Sequence, residues 1–221
     1  MAPPTLATQL LNVLAAGLLL ISFALLSQRR TRRLVILLAW QGAVLSASTL
    51  LVAIAANRPH LYYSAALTFM LKVCIVPWLL IRLMRRLDIE RDSDPMVNIP
   101  ALMLVGLSLV IFAFGLAQPI SSLAATVSRN TLGIAMAVIL LAFLMMIARH
   151  KAITQVVGFL AMENGLFFAA TSATYGMPMV IELGIALDLL VAVFIFGIFF
   201  FQIRSQFDSL DLHHLEALRE D

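Results

Sequence analysis

Long apolar runs, separated by short clusters rich in Arg, Asp, Gly and Pro, recur from one end of the chain to the other. Each run approaches the ~20 residues that a helix needs to cross a bilayer's hydrocarbon core. The pattern predicts an all-α polytopic membrane protein with about seven spans, at Leu6–Leu26, Leu34–Ala56, Leu61–Met84, Ile99–Ala117, Val127–Ala148, Ile153–Ala173 and Met179–Ile203. The last boundary rests on the turn Tyr175-Gly176-Met177-Pro178, where Gly and Pro favour reversal over a kinked helix. The first span lacks a basic stretch before it and a small-residue cleavage pattern, so it is expected to be a retained helix and not a signal peptide.

Composition sharpens this picture. Hydrophobic residues make up 62% of the chain and charged ones only 12%, with a mean hydropathy of +1.00. A large water-facing domain is excluded on those values. The basic pI of about 9.5 does not point to nucleic acid, because the arginines flank apolar segments, where they report topology. With seven spans, all of the fifteen basic residues except Arg58, Arg129 and Lys72 fall on one side. The positive-inside rule then gives N-out, C-in. Cys74 is the single cysteine and stands in an apolar run. It offers no disulfide or CxxC site and is expected to be a small buried hydrophobe.

Three charges stand inside the spans: Glu163, Asp188 and Lys72. An ionisable group at bilayer depth costs at least ~2.5–3.5 kcal/mol on insertion scales, so such groups face protein or water and mark ion pathways or buried struts. Counted along their helices, Glu163 and Lys72 fall within a turn of the bilayer centre and Asp188 about one turn from it. Lys72 has two candidate partners, Glu163 and Asp188. Low dielectric disfavours a charged carboxyl and a neighbouring ammonium restores it, so a change in their spacing would switch proton affinity. Glu163, Asp188 and Lys72 are therefore the candidate proton or ion relay. Glu182, near the outer surface, is a candidate mouth residue or a solvated helix-start carboxylate. Asn164, Gln41, Thr68 and Asn12 are candidates to orient water, or ordinary interhelical hydrogen-bonding groups.

The sequence argues against catalysis in this chain. His60, His150, His213 and His214 lie at span ends or in the tail, badly placed to hold a haem in the membrane. No phosphate loop, nucleophile elbow or metal-ligand spacing occurs, and the His213-His214 pair is short of the four ligands of a structural site.

The two halves of the chain align. Leu38-Ala39-Trp40-Gln41-Gly42 matches Leu160-Ala161-Met162-Glu163-Asn164, and Ala66-Leu67-Thr68 matches Ala186-Leu187-Asp188. Spans one to three would then correspond to spans five to seven in the same orientation, a parallel repeat. The expected organisation is an N-terminal three-helix unit (1–87), a cytoplasmic loop plus connecting helix (88–126), a second three-helix unit (127–203) and a cytoplasmic tail (204–221).

Leu160-Ala161-Met162-Glu163-Asn164-Gly165, Ile181-Glu182-Leu183-Gly184-Ile185-Ala186-Leu187-Asp188, Leu71-Lys72-Val73-Cys74-Ile75-Val76-Pro77 and the tail Leu210-Asp211-Leu212 with Leu215-Glu216-Ala217-Leu218 occur in order along the chain. In these segments the chain resembles hydrogenase-4 component E over nearly its whole length. Its last three spans further resemble the K subunit of respiratory complex I and the C subunit of Mrp-type antiporters. Glu163 matches the first of two intramembrane glutamates of the K-type subunit, and Asp188 stands near the second with a side chain one methylene shorter.

The resemblance implies a non-catalytic subunit, in the cell membrane, of a formate hydrogenlyase or related group 4 [NiFe] hydrogenase complex. It implies complex I-like antiporter-type neighbours in the membrane and hydrogenase or electron-transfer partners. Nickel-iron and iron–sulfur centres would be held by those partners and no cofactor by this chain. Two other classes remain open on the residues. A stand-alone cation or proton transporter is disfavoured by the odd span count and by the absence of a paired set of Gly/Pro-broken helices. A structural adaptor would use the same acids only as hydrogen-bonded struts.

Overall fold

The computed structural model describes residues 6–56, 59–86, 98–123, 129–149, 151–174 and 184. Among these residues the chain is all helical, and six helices are long and apolar enough to cross a membrane. They are α1 (Leu6–Ser27), α2 (Thr31–Ala56), a third span built of α3 (Pro59–Phe69), a π-helical segment (Met70–Ile75) and α4 (Val76–Arg86), then α5 (Ile99–Leu123), α6 (Arg129–Ile147) and α7 (Ala152–Thr174). Their positions match the first six spans expected from hydropathy. The expected seventh span, the loop from Asp88 to Asp94 and the tail lie outside the described residues, apart from Gly184, which is buried and packs towards Phe167 of α7.

Two spans differ from expectation, and a proline marks each. Leu61–Met84 is not one regular helix. Pro77 lacks the N–H an α-helix would use and its ring crowds the carbonyl four residues back. Just before it the helix widens, and the Val76 N–H bonds to the carbonyl of Leu71, five residues earlier. Such π-type adjustments keep backbone groups satisfied around an intramembrane proline. The fourth span was expected to stop at Ala117, yet α5 continues through Pro119 to Leu123.

α1 and α2 form a hairpin closed at Gln28–Arg30. The Gln28 side chain accepts the N–H groups of Arg29 (3.1 Å) and Arg30 (3.4 Å), and the carbonyl of Arg30 starts α2 by accepting from Arg33 and Leu34. α6 and α7 form a second hairpin, drawn close by Gly158 and Gly165. A methyl on Gly158 would lie 2.6 Å from Met146, and one on Gly165 2.9 Å from Ile139. The hairpins face one another, α1 on α6 and α2 on α7, while the third span lies against α2, and α5 covers α6 and part of α1.

The join between the hairpins is tied by Arg149, whose Nη2 lies 3.3 and 3.1 Å from the carbonyl oxygens of Leu25 and Leu26 and also contacts that of Gln28. These are carbonyls at the end of α1, left without intrahelical donors. Arg149 is only 1% exposed. Burial holds its pKa below the ordinary arginine value, but a guanidinium does not deprotonate in proteins, so the clamp stays charged. The sequence pattern marks Arg149 as a topology signal; in the fold it is also a helix cap.

Two apolar clusters fill the interior. One holds Leu25, Leu34, Leu38, Val76, Leu80, Met145 and Val157 among others. The other holds Leu18, Leu45, Leu61, Val138, Phe167 and Phe168. Along α1, α2, the third span and α7, the chain passes from one cluster to the other, and each time it crosses a short polar stretch between them. Those stretches form a single layer.

Candidate functional site

The polar layer consists of Ser22 from α1, Gln41 from α2, Lys72 from the π-helical segment, and Glu163 and Asn164 from α7. All five are buried, and Gln41 is 0%, Lys72 5% and Glu163 2% exposed. Lys72 Nζ donates to Glu163 Oε1 at 3.0 Å. Glu163 is thus a partner of Lys72, as the sequence allowed; the other candidate, Asp188, lies outside the described residues. Buried charges of opposite sign hold a defined geometry because separating them leaves each without compensation.

Lys72 lies in the π-helical segment just before Pro77 and is buried in the bundle, while Cys74, two residues on, faces the opposite side. Gly42 of α2 provides the space: a methyl there would fall 2.9 Å from Lys72 Cβ and 3.3 Å from its carbonyl carbon. Backbones that approach this closely in a membrane are typically lined by small residues. Cys74 itself is exposed, which corrects its expected burial. An apolar run in a membrane helix fits the lipid-facing and the protein-facing side equally well, so hydropathy could not place it.

Beside the ion pair runs a neutral chain. Asn164 Nδ2 donates to Gln41 Oε1 (3.2 Å), Gln41 Nε2 donates to Ser22 Oγ (3.1 Å), and Ser22 Oγ donates to the carbonyl of Leu18 (2.8 Å). It joins three helices at the depth of the charges. Asn164 and Gln41, both expected to support the site, belong to it. Thr68 is buried nearby in the third span, whereas Asn12 is exposed on α1, which removes it from the interior water-orienting group. Asp188 and Glu182 lie outside the described residues. Ser22 and Gly42 were not singled out from the sequence. The available signal was a hydroxyl and a glycine at the same helical depth as Gln41 and Lys72.

Leu38, Lys72, Val76, Leu160 and Asn164 line a cavity of about 10 Å³ next to the pair. No group of three or more His, Cys, Asp and Glu converges among the described residues. The layer therefore combines an acid, an ammonium, two amides and a hydroxyl, chemistry suited to holding protons and water.

Comparison with known proteins places the chain in a family. An uncharacterized protein of Mycobacterium tuberculosis is 36% identical over 212 residues, which is 96% of each chain. The chain belongs to that protein's family. Hydrogenase-4 component E of Escherichia coli K12 is 25% identical over 214 residues, covering 96% of this chain and 98% of that one. The Shigella flexneri hydrogenase-4 component E matches to the same extent. No family model matches the chain, and no solved structure matches it. Each of these matches takes in 96% of this chain.

Proposed function

We propose that the chain is an integral membrane subunit of a hydrogenase-4 or formate hydrogenlyase-type complex related to complex I, and that it takes part in ion movement coupled to electron transfer. It spans the cytoplasmic membrane about seven times, N-out and C-in, and its halves derive from one duplicated three-helix unit. Its neighbours are antiporter-type membrane subunits and electron-transfer subunits. The nickel-iron and iron–sulfur centres belong to those partners, and this chain contributes no catalytic group.

The full-length similarity to hydrogenase-4 component E supports membership of such a complex. The observation that carries the ion-handling role is the Lys72–Glu163 pair, buried at mid-span between two apolar clusters. A purely structural contact at this depth could be made with less expense by apolar packing. Within this reading Glu163 is the protonatable group, Lys72 sets its affinity, and Asp188 continues the path, with Glu182 at its mouth.

The test is donor-driven proton uptake by inverted membrane vesicles holding the whole complex, with electron transfer recorded at the same time. Glu163→Gln at equal complex abundance is expected to abolish uptake. Unchanged uptake and turnover would remove the relay and leave a structural adaptor.

A further inference from the structure

The hydrogen-bond chain beside the ion pair has a fixed polarity. A backbone carbonyl only accepts, so at Leu18 the Ser22 hydroxyl must be the donor. Ser22 has then spent its one proton, and Gln41 must present its NH₂ to it. Gln41 is left with its oxygen towards Asn164, which must present its own NH₂ in turn. The amide orientations thus follow from the carbonyl at one end and are not interchangeable. At the other end they leave Asn164 Oδ1, an acceptor that is buried and has no hydrogen-bond partner among the described residues.

An unsatisfied buried acceptor costs ~1–3 kcal/mol, so a donor is expected at it. Asn164 and Lys72 are the polar residues lining the adjoining cavity among the described residues, and its volume of about 10 Å³ is close to the minimum of ~10–15 Å³ that holds one water. We infer that this cavity is a binding site for a single water molecule, which donates to Asn164 Oδ1 and accepts from the Lys72 ammonium, and that the ion handled at the Lys72–Glu163 pair is a proton and not sodium. The inference rests on the ion-handling role proposed above and adds the identity of the ion.

The ammonium of Lys72 already sits 3.0 Å from Glu163 Oε1, where a metal cation would bind the carboxylate, and it repels a second cation beside it. Within the pair, one Lys72 N–H bond breaks as an O–H bond forms on Glu163 Oε1, 3.0 Å away. Lys72 ends as a neutral amine and Glu163 as the acid, while the cavity water stays hydrogen-bonded to Lys72. Asn164 acts as a positioning residue: it holds the water and passes no proton itself.

Electron cryo-microscopy of the native complex tests the site without any variant. Water density within hydrogen-bond distance of both Asn164 and Lys72 is expected, and a dry cavity overturns the inference. In the vesicle assay, Asn164→Leu is expected to lower proton uptake roughly tenfold, the scale of one lost buried hydrogen bond. Asn164→Ser, which keeps a hydroxyl and leaves room for water, should restore it. Replacing sodium by choline should leave uptake unchanged, and a sodium requirement would overturn the choice of ion. If Glu163→Gln stops uptake while Asn164→Leu does not, the water site fails and the proposed function stands. If Glu163→Gln has no effect, the proposed function itself fails.

Discussion

The polar layer and α5 are both membrane-depth structure, and they use polar atoms in opposite ways. On α5, Leu104, Val105, Leu107, Ile111, Phe112 and Leu116 are exposed, and the Ser108 hydroxyl donates to the carbonyl of Leu104 in its own helix. That bond dictates no neighbour. In the layer, Ser22, Gln41 and Asn164 bond from helix to helix, and Lys72 meets a carboxylate 91 residues away in sequence. In lipid an apolar face is satisfied wherever it points, whereas a polar side chain has to find a partner. The position of the third span against α2 and α7 is therefore set by a few polar atoms and by the glycine that admits them.

Substitutions in the two regions should diverge accordingly. The largest effect is expected from Lys72→Met, which strands a buried carboxylate. Removing one partner of a buried pair costs ~3–5 kcal/mol, and this should be read as a lower thermal midpoint and reduced incorporation of the subunit into the membrane complex. Next comes Gly42→Ala. Its methyl would press on Lys72 Cβ at 2.9 Å, and overpacking of this kind costs ~1–3 kcal/mol in the same denaturation experiment. The smallest effect, with the opposite sign, is expected from Gly115→Ala on α5, where a methyl meets nothing within 4 Å. A glycine in a helix interior is worse than alanine by ~0.5–1 kcal/mol, so this variant should be slightly more stable. Equal costs for Gly42→Ala and Gly115→Ala would erase the distinction between the two regions.

Much of the fold was legible in the sequence because span length and hydropathy are properties of single segments. The starts of α1 and α5 fall on the residues expected, and Glu163 was found as a lone charge in the middle of α7. What could not be read depends on relations between segments. Two acids were open to Lys72, and seeing that Glu163 meets it required knowing that the third span and α7 both pack against α2. Pro77 was visible, but the widened turn before it depends on how the freed backbone groups are re-bonded. Arg149 carried a topological meaning in the sequence that concealed its bond to the end of α1, 123 residues earlier in the case of Leu26. Ser22 is one hydroxyl in an apolar helix, and only the fold sets Gln41 beside it.

The decisive measurement is the double substitution Lys72→Met with Glu163→Gln, compared with each single one in the whole complex, scoring assembly and donor-driven proton uptake together. Removing both charges relieves the stranded carboxylate, so assembly should recover relative to Lys72→Met alone. If the pair is a proton-handling site, uptake stays abolished in the recovered complex. If uptake returns along with assembly, the pair is a strut, and the polar layer holds helices together without moving an ion.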